Sequence, residues 1–163
     1  MPTFGRSITI CKEPMALFRL TQDYTRRLEW DPFLQEARLV GGAVEPGVGV
    51  RAWCVARNGL AMETEYVSYR PPEMAAVRMT AGPRALATFA GSWRFKQIAP
   101  GVTYVTFCYH LTAWPSWLRF ILDPILLRVF AADTWQRLVA LKRAAETTSL
   151  LQEYEFPQAQ GGP

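Results

Sequence analysis

The most regular alternation of apolar and polar positions lies in the last third of the chain. From Leu127 onward, Leu127, Phe130, Ala131, Trp135, Leu138, Leu141 and Ala145 recur with helical period on one side. Asp133, Gln136, Arg137 and Arg143 fall on the other side and are expected to face water. Asp123-Pro124 predicts the helix start, the carboxylate capping free amides and the proline taking a position that needs no N–H. Because a residue before proline avoids the α region, 117–122 is predicted to be a separate short helix ending at Asp123. A long helix with one apolar stripe needs a sheet to lie against.

The preceding text supplies that sheet. Residues 5–12 alternate around Ser7, Ile8, Thr9 and Ile10, as a first strand would. Glu13-Pro14 then opens a short helix, Asp23 caps a second over 24–29, and Asp31-Pro32 starts one more turn. Strands follow at 37–44, 48–57, 60–70, 74–81, 85–97 and 102–112. They are separated by Glu45-Pro46-Gly47, Asn58-Gly59, Pro71-Pro72, Gly82-Pro83 and Pro100-Gly101. Asn58-Gly59 is the strongest turn signal, since both central positions of a tight hairpin favour φ > 0. Period two assigns the faces. Met62, Thr64, Tyr66, Ser68, Val77, Met79, Phe89, Gly91, Trp93, Phe95, Val105, Phe107, Tyr109 and Leu111 point inward, while Glu63, Glu65, Arg78, Arg94, Cys108 and His110 point outward. The fold class is therefore α+β: a curved antiparallel sheet of about seven strands wrapped around a long C-terminal helix, with short helices after the first strand. One domain over 1–150 and a flexible tail over 151–163 complete the organisation.

Composition narrows the function classes. Half of the 163 residues are apolar and 13% are aromatic, which excludes a disordered chain. The net charge of +4 comes from scattered arginines with no basic run, so no nucleic-acid partner is expected. Cys11, Cys54 and Cys108 are odd in number and widely spaced, as buried free thiols in a reducing compartment would be, and a cytoplasmic location is expected. No metal or other cofactor is called for: ligand clusters, a P-loop and a dinucleotide fingerprint are all missing from the text.

The order of elements is similar to the helix-grip fold of the START / Bet v 1 / polyketide cyclase (SRPBCC) superfamily. Asp23-Tyr24, Glu29-Trp30-Asp31-Pro32-Phe33 and Ala37-Arg38-Leu39-Val40 resemble its second helix running into its second strand. Tyr66 with Pro71-Pro72, and Gly91-Ser92-Trp93-Arg94-Phe95, resemble its middle strands, and the stretch from Leu138 to Glu146 resembles the close of its last helix. The likeness spans roughly 5–148. It implies a cavity between sheet and helix for a hydrophobic or aromatic molecule, such as a lipid, polyketide or isoprenoid-like compound, held by a carrier or sensor. The alternative it implies is an aromatase/cyclase or dehydratase acting on a polyketide-like substrate.

The expected lining is Met62, Thr64, Tyr66, Phe89, Trp93, Phe95, Phe107, Tyr109, Leu127 and Phe130, an apolar wall with a few hydroxyls. Catalytic residues are not assignable. The single histidine, His110, faces outward, and Tyr66 and Tyr109 are the inward candidates to hydrogen-bond a substrate oxygen. The segment 114–127, from Trp114 through Trp117 and Phe120 to Leu127, is apolar almost all round. Such a helix must be buried throughout or meet something, and a membrane surface or a second copy of the chain are the expected contacts.

Overall fold

Strand-forming and helix-forming text separate cleanly in space. The computed structural model describes residues 3–152. The order is β1 (Thr3–Ile10), α1 (Pro14–Gln22), α2 (Arg27–Trp30), β2 (Leu34–Leu39), β3 (Arg51–Ala56), β4 (Ala61–Arg70), β5 (Met74–Ala81), β6 (Leu86–Ala99), β7 (Val102–Ala113) and α3 (Arg119–Thr147). The seven strands form one antiparallel sheet in the order β1-β7-β6-β5-β4-β3-β2. The connection from β1 to β2 crosses between the two edges through α1 and α2. The expected tail lies, from residue 153, outside the described residues. No described helix is long and apolar enough to cross a membrane.

The buried face of the sheet is the one that period two selects: Trp93, Phe95, Val105, Phe107, Tyr109 and Leu111 are all buried, and Arg94 and His110 are exposed. Leu138, Leu141, Ala144 and Ala145 of α3 pack on it, with Leu17, Phe18 and Leu20 of α1. Outside, Arg51 pairs with Glu63 and Arg78 with Glu65 across adjacent strands. Along β1, Lys142 Nζ of α3 donates to Thr9 O, and Glu146 accepts from the Cys11 amide. At the other edge, β2 is six residues long, carries a register shift between Leu34 and Glu36, and bears a Glu36–Arg38 pair.

Five local expectations are corrected. A bulge between Tyr66 and Ser68 leaves exposed Val67 unpaired and reverses the alternation, so Tyr69 rather than Ser68 turns inward, edge-on to Phe18 at 5.2 Å. At the β3–β4 turn only Gly59 has positive φ (86°). Asn58 keeps negative φ, and its side chain accepts from the Leu60 amide. The predicted break at Asp123 does not occur: Pro124 lies inside α3. The Asp123 carboxylate accepts from the Ala113 amide of β7 at 2.8 Å and is not a helix cap. Packing of Leu126, Leu127 and Phe130 on the core holds the helix through a proline that costs about 3 kcal/mol in an interior position. Trp135 is exposed, not part of the buried stripe, and Cys11 is exposed beyond the end of β1.

Candidate functional site

The sheet and α3 do not mesh over their whole length. Between them lies a cavity of about 170 Å³, comparable to the engineered cavities of ~150 Å³ that admit one aromatic ring. Seven of the ten anticipated residues line it: Met62, Thr64, Tyr66, Phe89, Trp93, Phe107 and Phe130. Trp93 and Phe107 lie 4.6 Å apart between ring centres and both line it. Gly91 keeps space open beside them. A Cβ built there would sit 3.5 Å from Phe107 Cζ and 3.6 Å from Phe89 Cε1, in ordinary contact, so a longer side chain would project into the hollow. Asn58, Leu60 and Val129 line the cavity and are themselves exposed, which marks its mouth between the β3–β4 turn and α3.

The other three residues stand behind this wall. Phe95 is filled against by Phe18 of α1 and stacks on Trp93. Tyr109 is enclosed by Phe4, Phe89, Phe107 and Phe130, and its hydroxyl donates to the Leu127 carbonyl at 3.2 Å. Leu127 serves as that acceptor and packs on the core. Tyr109 therefore fastens α3 to β7, and burial pushes its hydroxyl far above the usual tyrosine range.

The cavity also holds a polar cluster that alternation did not reveal. Tyr66 Oη donates to Gln22 Oε1 at 2.7 Å and lies 3.2 Å from Tyr24 Oη. Gln22 is oriented by its own bond to Thr21 Oγ1. Burial, then Tyr24, raises the Tyr66 hydroxyl well above its ordinary value, so it is a donor and not a base at neutral pH. Beside it, Arg27 Nε and Arg137 Nη2 both donate to Asp31 Oδ2, at 2.9 and 2.8 Å, with Arg137 Nε at 3.2 Å. Asp31 Oδ1 accepts from the Phe33 amide. Asp31 is thus the centre of a buried ion triad through Oδ2 as well as the cap of the turn at Pro32-Phe33 through Oδ1. Burial alone would raise its carboxyl, but Arg137 and Arg27 hold it below the usual range. Arg27 stacks over Trp30, and Arg137 over Phe33 and Phe107.

Arg137 was expected on the wet side of α3. The signal that places it inward is its spacing from Phe130, Thr134 and Leu141, successive steps of four, three and four residues along one helical face. Asp133 is also on the cavity wall, and burial raises its carboxyl against the pull of Arg137. Among the described residues no group of His, Cys, Asp or Glu could hold a metal ion.

This arrangement can enclose an aromatic body and present guanidinium groups to a ligand oxygen. Several solved structures share its architecture. An aromatase/cyclase, Zhui from Streptomyces sp. R1128, superposes with a TM-score of 0.71 at 14% identity, covering 99% of each chain. A START superfamily protein from Mycobacterium smegmatis gives 0.73 at 10%, over 88% of this chain and 97% of its own. Major latex-like protein 151 from Panax ginseng gives 0.73 at 11%, over 89% and 97%. At these identities the likeness establishes the helix-grip fold alone. No curated protein matches the sequence. The family model described as polyketide cyclase / dehydrase and lipid transport, however, matches residues 1–146, nearly the whole described chain, and the protein therefore belongs to that family.

Proposed function

We propose that the protein binds a hydrophobic or aromatic small molecule in the cavity between sheet and α3, as a carrier or sensor. The observation that carries this reading is an open hollow walled by Trp93, Phe107, Phe89 and Phe130 with a hydrogen-bonded polar cluster on one side. Ligand sites in general combine a mostly apolar wall with a few placed polar groups. Protein purified from cells, extracted and examined by mass spectrometry, is expected to carry such a compound. Titration of the stripped protein with N-phenyl-1-naphthylamine is expected to raise the dye's fluorescence to saturation. An empty extract together with no dye response would refute the reading.

A second reading, catalysis of cyclisation or dehydration on a polyketide-like substrate, is favoured by Asp133. Asp133 is the carboxyl on the cavity wall, raised from its ordinary value by burial, and so the group there suited to take up a proton. Arg137 would then stabilise the oxyanion of an enolate formed next to a carbonyl. Replacement Asp133→Asn is expected to abolish turnover while leaving dye binding unchanged, and unchanged turnover would remove Asp133 from this role.

The first half of α3 supplies the contact through which a ligand would be exchanged. Trp117 and Phe120 are 72% and 77% exposed, and Ile121, Ile125 and Val129 form an exposed row at four-residue spacing that ends at the cavity mouth. Arg119 and Arg128 lie on the same stretch. Apolar side chains with interspersed cations suit a membrane surface, and a second copy of the chain is the other candidate.

A further inference from the structure

The triad at the cavity is unbalanced. Two guanidinium groups share one carboxylate oxygen, so one positive charge remains in surplus inside the protein. Of the side chains concerned, Asp31 has 0% exposure, Arg27 8% and Arg137 13%. Cys54 and Tyr24 do not neutralise it. Burial pushes the Cys54 thiol and the Tyr24 hydroxyl up, which keeps both uncharged. Asp133, one turn before Arg137, feels its charge but forms no ion pair with it among the described residues.

The donors are also incompletely used. Arg27 gives Nε to Asp31 and Nη1 to the Thr21 carbonyl, and Arg137 gives Nε and Nη2 to Asp31. Arg27 Nη2 and Arg137 Nη1 have no partner among the described residues, yet both arginines line the cavity. Asp31 and the flanking aromatic rings fix the planes of the two guanidinium groups, so little side-chain freedom remains to be lost on binding. Unused, preoriented N–H groups carrying a surplus positive charge are complementary to a planar anion, and guanidinium matches carboxylate in geometry.

We propose that Arg27 and Arg137 together receive the carboxylate of an aromatic acid whose apolar body lies in the cavity against Trp93 and Phe107. The proposal rests on the ligand-binding reading above and adds the charge of the ligand to it. Tyr66 and Gln22 stand on the same polar side and exclude a purely hydrocarbon end from that corner.

The test uses a pair of probes of nearly equal shape, 2-naphthoate and methyl 2-naphthyl ketone, each titrated calorimetrically into the full chain. Naphthoate is expected to bind at least about tenfold more tightly than the ketone, since hydrogen bonds to a charged acceptor are the strong ones. In Arg137→Gln the preference is expected to vanish through loss of naphthoate affinity, and Arg137→Lys is expected to restore part of it. Equal binding of the two probes by the unaltered protein would overturn the anion site and leave the cavity reading intact. Failure of both probes to bind would overturn both. Should Arg137→Gln not fold, the comparison in the unaltered protein decides alone.

Discussion

Replacing Asp31 by asparagine keeps the shape of the side chain and deletes its charge, so any effect reports on the triad and not on a void. Asp31 Oδ2 accepts three N–H groups from Arg27 and Arg137 with no access to water. Removing one partner of a buried pair strands the other charge, which destabilises by about 3–5 kcal/mol. In a chain of this length 1 kcal/mol moves the melting temperature by about 2–4 °C, so Asp31→Asn is expected to lower it by roughly 6–20 °C. The measurement is thermal unfolding by circular dichroism at pH 7. Arg137→Met leaves Arg27 and Asp31 paired and is expected to lose less. The double variant, with one stranded cation removed, is expected to recover part of the Asp31→Asn loss. The pH dependence has a definite sign. The folded carboxyl of Asp31 lies below its unfolded value of about 3.9, so its contribution is present above that pH. It is lost as pH falls through the folded value, and the gap between parent and Asp31→Asn should narrow below about pH 4. A melting temperature within about 2 °C of the parent at pH 7 would refute the claim that the triad holds α2 against α3.

Three other substitutions separate the parts of the site. Gly91→Leu places a branched side chain where the cavity now is, and is expected to abolish N-phenyl-1-naphthylamine binding with the melting temperature kept or raised. Retained binding would show that dye and cavity are unrelated. Tyr66→Phe leaves Gln22 Oε1 without its donor inside the protein and is expected to cost about 1–3 kcal/mol in urea unfolding. A neutral result would mean that water or Tyr24 takes over the bond. Phe120→Glu changes a side chain that is almost wholly exposed, so stability should hold while flotation with anionic vesicles is lost. Loss of self-association in sedimentation, with no flotation by the parent, would instead assign this face to a second copy of the chain.

The strand faces were legible because each β residue projects by a rule of two, and the aromatic wall followed from that rule alone. Where the rule failed, the cause was local. The unpaired Val67 shifted the parity of β4 beyond Tyr66, which traded Ser68 for Tyr69. Pattern reading of α3 treated charge as a mark of solvent, and so it sent Arg137 outward. That inference holds only for a helix packed against a filled core, whereas here a cationic side chain has an internal hollow and a buried partner to enter. Asp31-Pro32 illustrates the same ambiguity, since a carboxylate before proline can serve backbone amides or distant guanidinium groups. Only the fold brings Arg27, four residues earlier, and Arg137, more than a hundred later, to one oxygen. Phe95, Tyr109 and Leu127 lay on the correct face but at depths set by α1 and by the Tyr109–Leu127 bond, which alternation does not encode.

The two outer strands have a bearing on assembly. At one margin the main-chain groups of Thr9 and Cys11 are occupied by Lys142 and Glu146, and at the other β2 is short, irregular in register and charged. β2 is thereby a poor template for an added strand, and at the β1 margin the end near Ile10 is covered. Joining of copies by extension of the sheet through β2 is therefore disfavoured. Pairing through side chains is the course left open at that margin, where a longer and flatter strand would invite polymerisation.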